Sequence, residues 1–215
     1  MYGFAYPSTM TTQTNAPSLV RWYEQSQAIA AIAESRNSGK PLFIDLYALH
    51  CKGCEKLETT TYQDPRVATT LNEEFIPVLY NARQPDDNFE RLNGMAAYIF
   101  SPVLIIRAAD GAELRRTTGY LPPEDMLLEL QLGLGLNALH KREWEAAFHL
   151  LDVGVREHVT ARNLPEALWW RGVAAYRKSG NSLLELAEAW APLVREHRET
   201  AWADRADVLG VYCEC

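Results

Sequence analysis

Residues 20–36 place Val20, Tyr23, Ile29 and Ile32 at the spacing of one helical face, with polar side chains between them. Asn37-Ser38-Gly39-Lys40-Pro41 ends that helix. The pattern then changes to a short, apolar run rich in large side chains, Leu42-Phe43-Ile44-Asp45-Leu46-Tyr47-Ala48, which predicts a buried strand. Helices are predicted over roughly 52–62 and from Asp64-Pro65 to Glu74, the second with proline at an early helical position. Phe75-Ile76-Pro77-Val78-Leu79-Tyr80 gives a second strand, and 86–95 a short helix. Pro102-Val103-Leu104-Ile105-Ile106-Arg107 gives a third strand, Asp110-Gly111 a hairpin turn, and Ala112 to Gly119 a fourth strand. Pro122-Pro123-Glu124-Asp125 opens a long helix. The order α-β-α-α-β-α-β-β-α predicts an α/β domain, a mixed four-stranded sheet flanked by helices.

After about residue 135 strand signals stop, and helices are predicted at 124–140, 142–158, 164–179, 182–197 and 200–210. Leu134-Gly135, Ala147, Leu151 and Gly154 fall near the small and large positions of a helix-hairpin repeat. Gly172, Ala175 and Tyr176 echo the first stretch 37 residues on (172 − 135). That is close to the tetratricopeptide period of about 34. A plain helical extension packed on the first domain is the competing reading. The expected division is a flexible leader at 1–19, an α/β domain at 20–138, and an all-α helical-hairpin extension at 139–215.

Composition is that of a globular chain: 47% hydrophobic and 23% charged residues in 215. The net charge of −7 and the lack of a basic stripe argue against a nucleic-acid partner. No apolar stretch approaches the roughly 20 residues of a membrane span. Residues 1–19 have no charged n-region and no compact apolar run, so they do not read as a secretory signal, and Met10 is a second candidate start. The expected compartment is the cytoplasm, where cysteines are mostly reduced, catalytic or metal-bound.

The four cysteines form two close pairs, Cys51/Cys54 and Cys213/Cys215. A CxxC alone is compatible with redox chemistry, half of a zinc site, or no role. This one lies where a buried strand gives way to a helix. Cys51 then sits at a helix N-terminus, where free N–H groups and the helix dipole favour a thiolate. Cys54 lies one turn inside, within reach of it. His50 and Lys52 flank Cys51, and positive charge there would lower its pKa from about 8.5 towards 7. His50 reads equally well as an exposed loop side chain without a role. Asp45, in the middle of an apolar strand, is costly unless it has a use.

FIDLYALHCKGC resembles the thioredoxin pattern, in which strand, acidic residue and CxxC run together. Asp45 lies six residues before Cys51 (51 − 45), where that family places a buried acid. The resemblance implies that Asp45 passes protons to and from Cys54. Ser101-Pro102-Val103-Leu104-Ile105 resembles the family's cis-proline loop. Pro102 would then face the CxxC, and Ser101 would offer its backbone to a bound peptide. Gly119 resembles a glycine beside the family's active site. Tyr62-Gln63-Asp64-Pro65-Arg66-Val67, with Trp22 and Gly39-Lys40-Pro41, is similar to a subgroup, the thiol-reducing domain of the bacterial membrane electron transporter and its soluble relatives. His50 and Gly53 stand where thioredoxins have tryptophan and proline, and Ala96-Ala97-Tyr98-Ile99-Phe100 is longer and more apolar than usual. These departures bear on partner choice and redox potential. Residues 136–215 lie outside the resemblance.

The terminal Cys213-Glu214-Cys215 reads as an accessory thiol pair, a zinc grip shared with the CxxC, or an unstructured end. Trp144, Trp169, Trp170, Trp190 and Trp202 read mostly as core or inter-helix packing, with a minority as candidates to line a peptide groove. The resemblance implies a thiol–disulfide oxidoreductase acting on protein disulfides as a reductase. Cys51 and Cys54 are nucleophile and resolving thiol, Asp45 handles the proton, and Ser101, Pro102, His50, Lys52, Gly53 and Gly119 face the substrate. Its redox centre is the Cys51–Cys54 disulfide, with no metal or other cofactor. Its partners are protein thiols or disulfides and an upstream dithiol donor, with no nucleic acid and no membrane. The helical region adds a protein-partner or self-association surface. The alternative is a non-catalytic scaffold that binds proteins through the helices.

Overall fold

The computed structural model describes residues 18–209. Most of the expected leader, and Cys213 and Cys215, lie outside the described residues. A five-stranded sheet has the order β1-β3-β2-β4-β5. It is built from β1 (Tyr23–Glu24), β2 (Leu42–Tyr47), β3 (Ile76–Asn81), β4 (Val103–Arg107) and β5 (Glu113–Thr118). β2 is central, parallel to β3 and antiparallel to β4. β5 closes the sheet antiparallel to β4. The centre is covered on both faces, so β2 and β4 need no polar alternation. β5 is an edge strand, which is why Glu-Leu-Arg-Arg-Thr-Thr serves there.

Successive strand residues face opposite sides. Phe43, Leu104 and Ile106 pack on one face with Leu57, Val67, Leu71, Met126 and Leu130. Ile44, Leu46, Val103 and Ile105 pack on the other with Ala28, Ala31, Val78 and Tyr80. The helices are α1 (Ala28–Ser38), α2 (Lys52–Thr59), α3 (Pro65–Glu74), α4 (Phe89–Asn93), and the long α5 (Pro123–His140). By its position two residues after Phe43, Asp45 faces the layer that contains α2, α3 and α5.

The N-terminal segment departs from the pattern read at 20–36. Tyr23 and Glu24 pair in parallel with Val78 and Leu79, and the helix begins only at Ala28. The open edge of β3 captures these residues as a strand. The helix then buries Ala28, Ala31 and Ser35, while Ile29 is turned outwards. Small residues let α1 approach the sheet closely; of the predicted apolar face, Val20 is buried and Tyr23 and Ile32 pack partly against the core, and only Ile29 departs from it. The helix expected over 52–62 also divides: α2 ends at Thr59 and a separate 3-10 turn, Thr61–Gln63, follows.

α5 serves both regions. Met126, Leu127 and Leu130 join the sheet core, while Leu128, Leu132 and Ala138 join a second core with the helices that follow. These are α6 (Trp144–Glu157), α7 (Leu164–Lys178), α8 (Leu183–Glu196) and α9 (Ala201–Ala206). A Cβ at Gly172 would overlap the Trp190 indole, so α7 and α8 approach at a small residue. Trp169 stacks on Trp190, with ring centroids 5.6 Å apart, and packs against Trp170 and Trp202. No helix among the described residues is long and apolar enough to cross a membrane.

Candidate active site

β2 ends at Tyr47, and three residues carry the chain to Cys51. His50 has a φ of 61°, in the left-handed region, and this turn starts α2 at once. Cys51 is the N-cap of α2: its Sγ accepts from the Cys54 N–H at 3.2 Å, and its carbonyl accepts from Glu55 at 3.0 Å. The two cysteines are joined as a disulfide with their Cα atoms 5.3 Å apart, and both are half-buried. A sulfur at this position faces the unpaired N–H groups and positive end of α2, which favour a thiolate when the bond is reduced. Lys52 Nζ pairs with Glu55 at 2.7 Å on the solvent side of the helix. His50 is exposed.

Pro102 lies directly against the motif. A Cβ at Gly53 would sit 3.0 Å from Pro102 Cδ, so glycine leaves room for the proline ring. The Ser101–Pro102 peptide bond is cis. The Ser101 side chain turns inward: its Oγ donates to the Leu46 carbonyl at 3.2 Å and hydrogen-bonds the Tyr98 hydroxyl. The proline loop is thereby tied to the end of β2, while Ser101's side chain is withdrawn from solvent. Gly119 donates its N–H to the Pro102 carbonyl at 2.8 Å with a φ of 102°, a conformation that suits glycine. Cys51, Cys54, Gly53, Pro102 and Gly119 thus form one contiguous neighbourhood. Beside it, Leu49 is 61% exposed, Ile99 87% and Phe100 66%, an apolar rim on the loops that precede Cys51 and Pro102.

Beneath α2, Asp45 is only 2% exposed. Its Oδ2 accepts from the Tyr62 hydroxyl at 2.8 Å, and its Oδ1 is buried with no hydrogen-bond partner. Burial pushes its pKa up to about 7; the Tyr62 hydrogen bond opposes this, and the Glu58 charge adds to it. Glu58 stands four residues after Cys54, on the same face of α2. Burial likewise holds the Tyr62 phenol well above its ordinary pKa, so it is a donor throughout the physiological range. Tyr62 is fixed by Trp22, which meets it edge-on with centroids 5.0 Å apart. Trp22 and the segment Tyr62–Val67 entered the sequence reading only as resemblance. The roles of the Tyr62 hydroxyl and of Glu58 were not assigned. The i, i+4 step from Cys54 to Glu58 was a readable signal, whereas the tyrosine's contact depends on how the turn after α2 folds back.

Among the described residues no group of three or more His, Cys, Asp or Glu side chains could hold a metal ion.

Residues 21–109 match a family model described as thioredoxin-like. The chain therefore carries a thioredoxin-like domain, continued by an all-helical region. Two curated relatives, both named thiol:disulfide interchange protein DsbD and from two strains of Campylobacter jejuni, are 26% identical over 100 residues. That match covers 46% of this chain and only 17% of theirs. Among solved structures, a thioredoxin from Thermus thermophilus is 21% identical, with 56% of this chain and 92% of that one covered and a TM-score of 0.44. The reduced C-terminal domain of Neisseria meningitidis DsbD is 16% identical, covering 50% of this chain and 94% of that one, with a TM-score of 0.42.

Proposed function

We propose that the thioredoxin-like domain exchanges thiols for disulfides with protein substrates, working as a reductase supplied by a dithiol donor. The observation that carries this reading is the half-exposed Cys51–Cys54 pair at the N-terminus of α2, with the Pro102 ring against Gly53. The curated relatives' name, thiol:disulfide interchange protein, supports the same chemistry.

In the reduced domain the Cys51 thiolate attacks a substrate disulfide. A bond forms between Cys51 Sγ and one substrate sulfur, and the other substrate sulfur leaves as a thiolate. Cys54 then gives its proton to the Asp45 carboxylate and bonds to Cys51 Sγ. The mixed disulfide breaks with its electron pair on the second substrate thiolate. The domain is left oxidised at Cys51–Cys54, and the donor dithiol reduces it again. A substrate strand laid along the Ser101 and Pro102 backbone meets the rim of Leu49, Ile99 and Phe100. This rim suits a cysteine flanked by apolar residues.

A second reading treats the helices as a protein-binding surface. It is favoured by Leu183 and Leu184 at the start of α8, which are 59% and 68% exposed. The test between the two is dithiol-driven reduction of a protein disulfide by wild type and by Cys51→Ser. Exchange above the dithiol background that vanishes in the variant is the expected outcome. A wild type no faster than the free dithiol removes the oxidoreductase reading and leaves the surface one.

A further inference from the structure

Two buried groups meet beneath the disulfide, and the steps above use only one of them. Asp45 lies in β2 opposite Leu79 of β3 and Leu104 of β4, so the neighbouring strands bring no charge to its register. The titratable groups that act on it are Tyr62 from the turn after α2, Glu58 from α2, and Tyr47 from its own strand. Of these, Tyr62 alone makes a side-chain hydrogen bond to it. That bond takes Oδ2 and leaves Oδ1 buried and without a partner. The tyrosine is 4% exposed, held edge-on by Trp22, and carried next to Thr61, whose hydroxyl donates to the Leu121 carbonyl at 2.6 Å. The ring is thus packed against Trp22, and the backbone beside it is anchored through Thr61.

We propose that Tyr62 is a positioning residue of the exchange site: its hydroxyl pins one oxygen of Asp45 and so reserves the other for the proton of Cys54. This rests on the exchange reading given above and deepens it. In water a carboxylate rotates and shares its protons between both oxygens. A buried one with a single fixed donor has one oxygen engaged and one idle, which gives proton transfer a defined address. The hydrogen bond also favours the ionised form, so it keeps a base in a place where burial alone would protonate it.

The test uses Tyr62→Phe, which keeps the ring and its contact with Trp22 but removes the hydroxyl, with Asp45→Asn as reference. Two readouts are needed on the full chain: the pH profile of the exchange rate, and the titration of the Asp45 side-chain carboxyl followed by carbon NMR in the reduced protein. Tyr62→Phe should raise the carboxyl midpoint by about one unit and carry the exchange profile up with it. The variant is then several-fold slow near pH 7 and recovers towards wild type above pH ~9, where Asp45 is ionised in both. Asp45→Asn should lose this inflection altogether. A carboxyl midpoint unmoved in Tyr62→Phe overturns the proposal. A moved midpoint with an unmoved exchange profile overturns it too, because Tyr62 would then tune Asp45 without serving the chemistry. A wild type that exchanges nothing sinks the exchange reading itself, a failure seen separately from the carboxyl titration.

Discussion

Among the described residues, the buried acids Glu129 and Asp45 are housed in opposite ways. At the junction of sheet and helices, Arg115 of β5 is clamped between Glu129 of α5 and Glu166 of α7. It makes hydrogen bonds of 2.7 and 2.8 Å to the first and 2.7 and 3.0 Å to the second. Thr117 and Asn163 complete Glu129, and Trp170 completes Glu166. Burial alone would lower the Arg115 pKa, but the hydrogen bonds and charges of its two carboxylates outweigh it and the pKa is raised. Beneath the disulfide, Asp45 has one donor, one idle oxygen and a pKa pushed up to about 7. The saturated cluster has no proton to give and holds two regions together. The under-satisfied one is poised to take a proton and contributes less to holding the fold.

Breaking the saturated cluster should have the larger effect on stability. Arg115→Ala leaves the buried Glu129 and the half-buried Glu166 without their counter-charge and should cost about 3 kcal/mol in urea unfolding. Exchange per folded molecule should persist. If unfolding shifts by under about 1 kcal/mol, the cluster is not the fastener described.

Asp45 should behave in the reverse sense. Its folded pKa lies above its unfolded value, so the folded state binds the proton more tightly between pH 4 and 7. The stability contribution of the neutral acid is complete below about pH 4 and is lost as pH rises through about 7. Asp45→Asn should remove that fall. At pH 8 it should unfold about 2 kcal/mol later than wild type, because the amide escapes the cost of a buried charge but still lacks a full set of partners. Its exchange rate should drop at the same time. A stability gain paired with lost activity separates a functional buried acid from a structural one, and a stability loss at pH 8 would contradict the assignment.

The smallest effects should come from the surface of the motif. Gly53→Ala places a methyl group 3.0 Å from Pro102 Cδ, and should slow exchange a few-fold while changing stability by under about 1 kcal/mol. Lys52→Ala removes only a solvent-side pair with Glu55 and should alter stability by less than about 0.5 kcal/mol. Equal kinetic effects from the two would argue that Pro102 plays no part in holding the substrate.

Much of the sheet was legible because β2, β3 and β4 are mostly apolar runs between turn signals, and Asp45 stood out as the one charge in the middle of such a run. The CxxC was legible as a spacing at a strand-to-helix step. Residues 20–27 were not legible, because strand or helix there is decided by a distant edge, that of β3 at Val78 and Leu79. For the same reason nothing local marks Arg115: its partners come from α5 and α7, 14 and 51 residues on. Tyr62 read as part of a conspicuous segment, but nothing local announces that its hydroxyl reaches back 17 residues to Asp45.

The most direct test of the account is covalent trapping. Cys54→Ser, reduced and mixed with a disulfide-bonded protein substrate, should accumulate a mixed disulfide that peptide mapping places at Cys51, because the resolving thiol is gone. The Cys51→Ser variant should accumulate none at Cys54. An adduct at Cys51 in the first variant and none at Cys54 in the second is the predicted result. No adduct with Cys54→Ser, or one mapped to Cys213 or Cys215, would contradict the assignment of this pair as the working thiols.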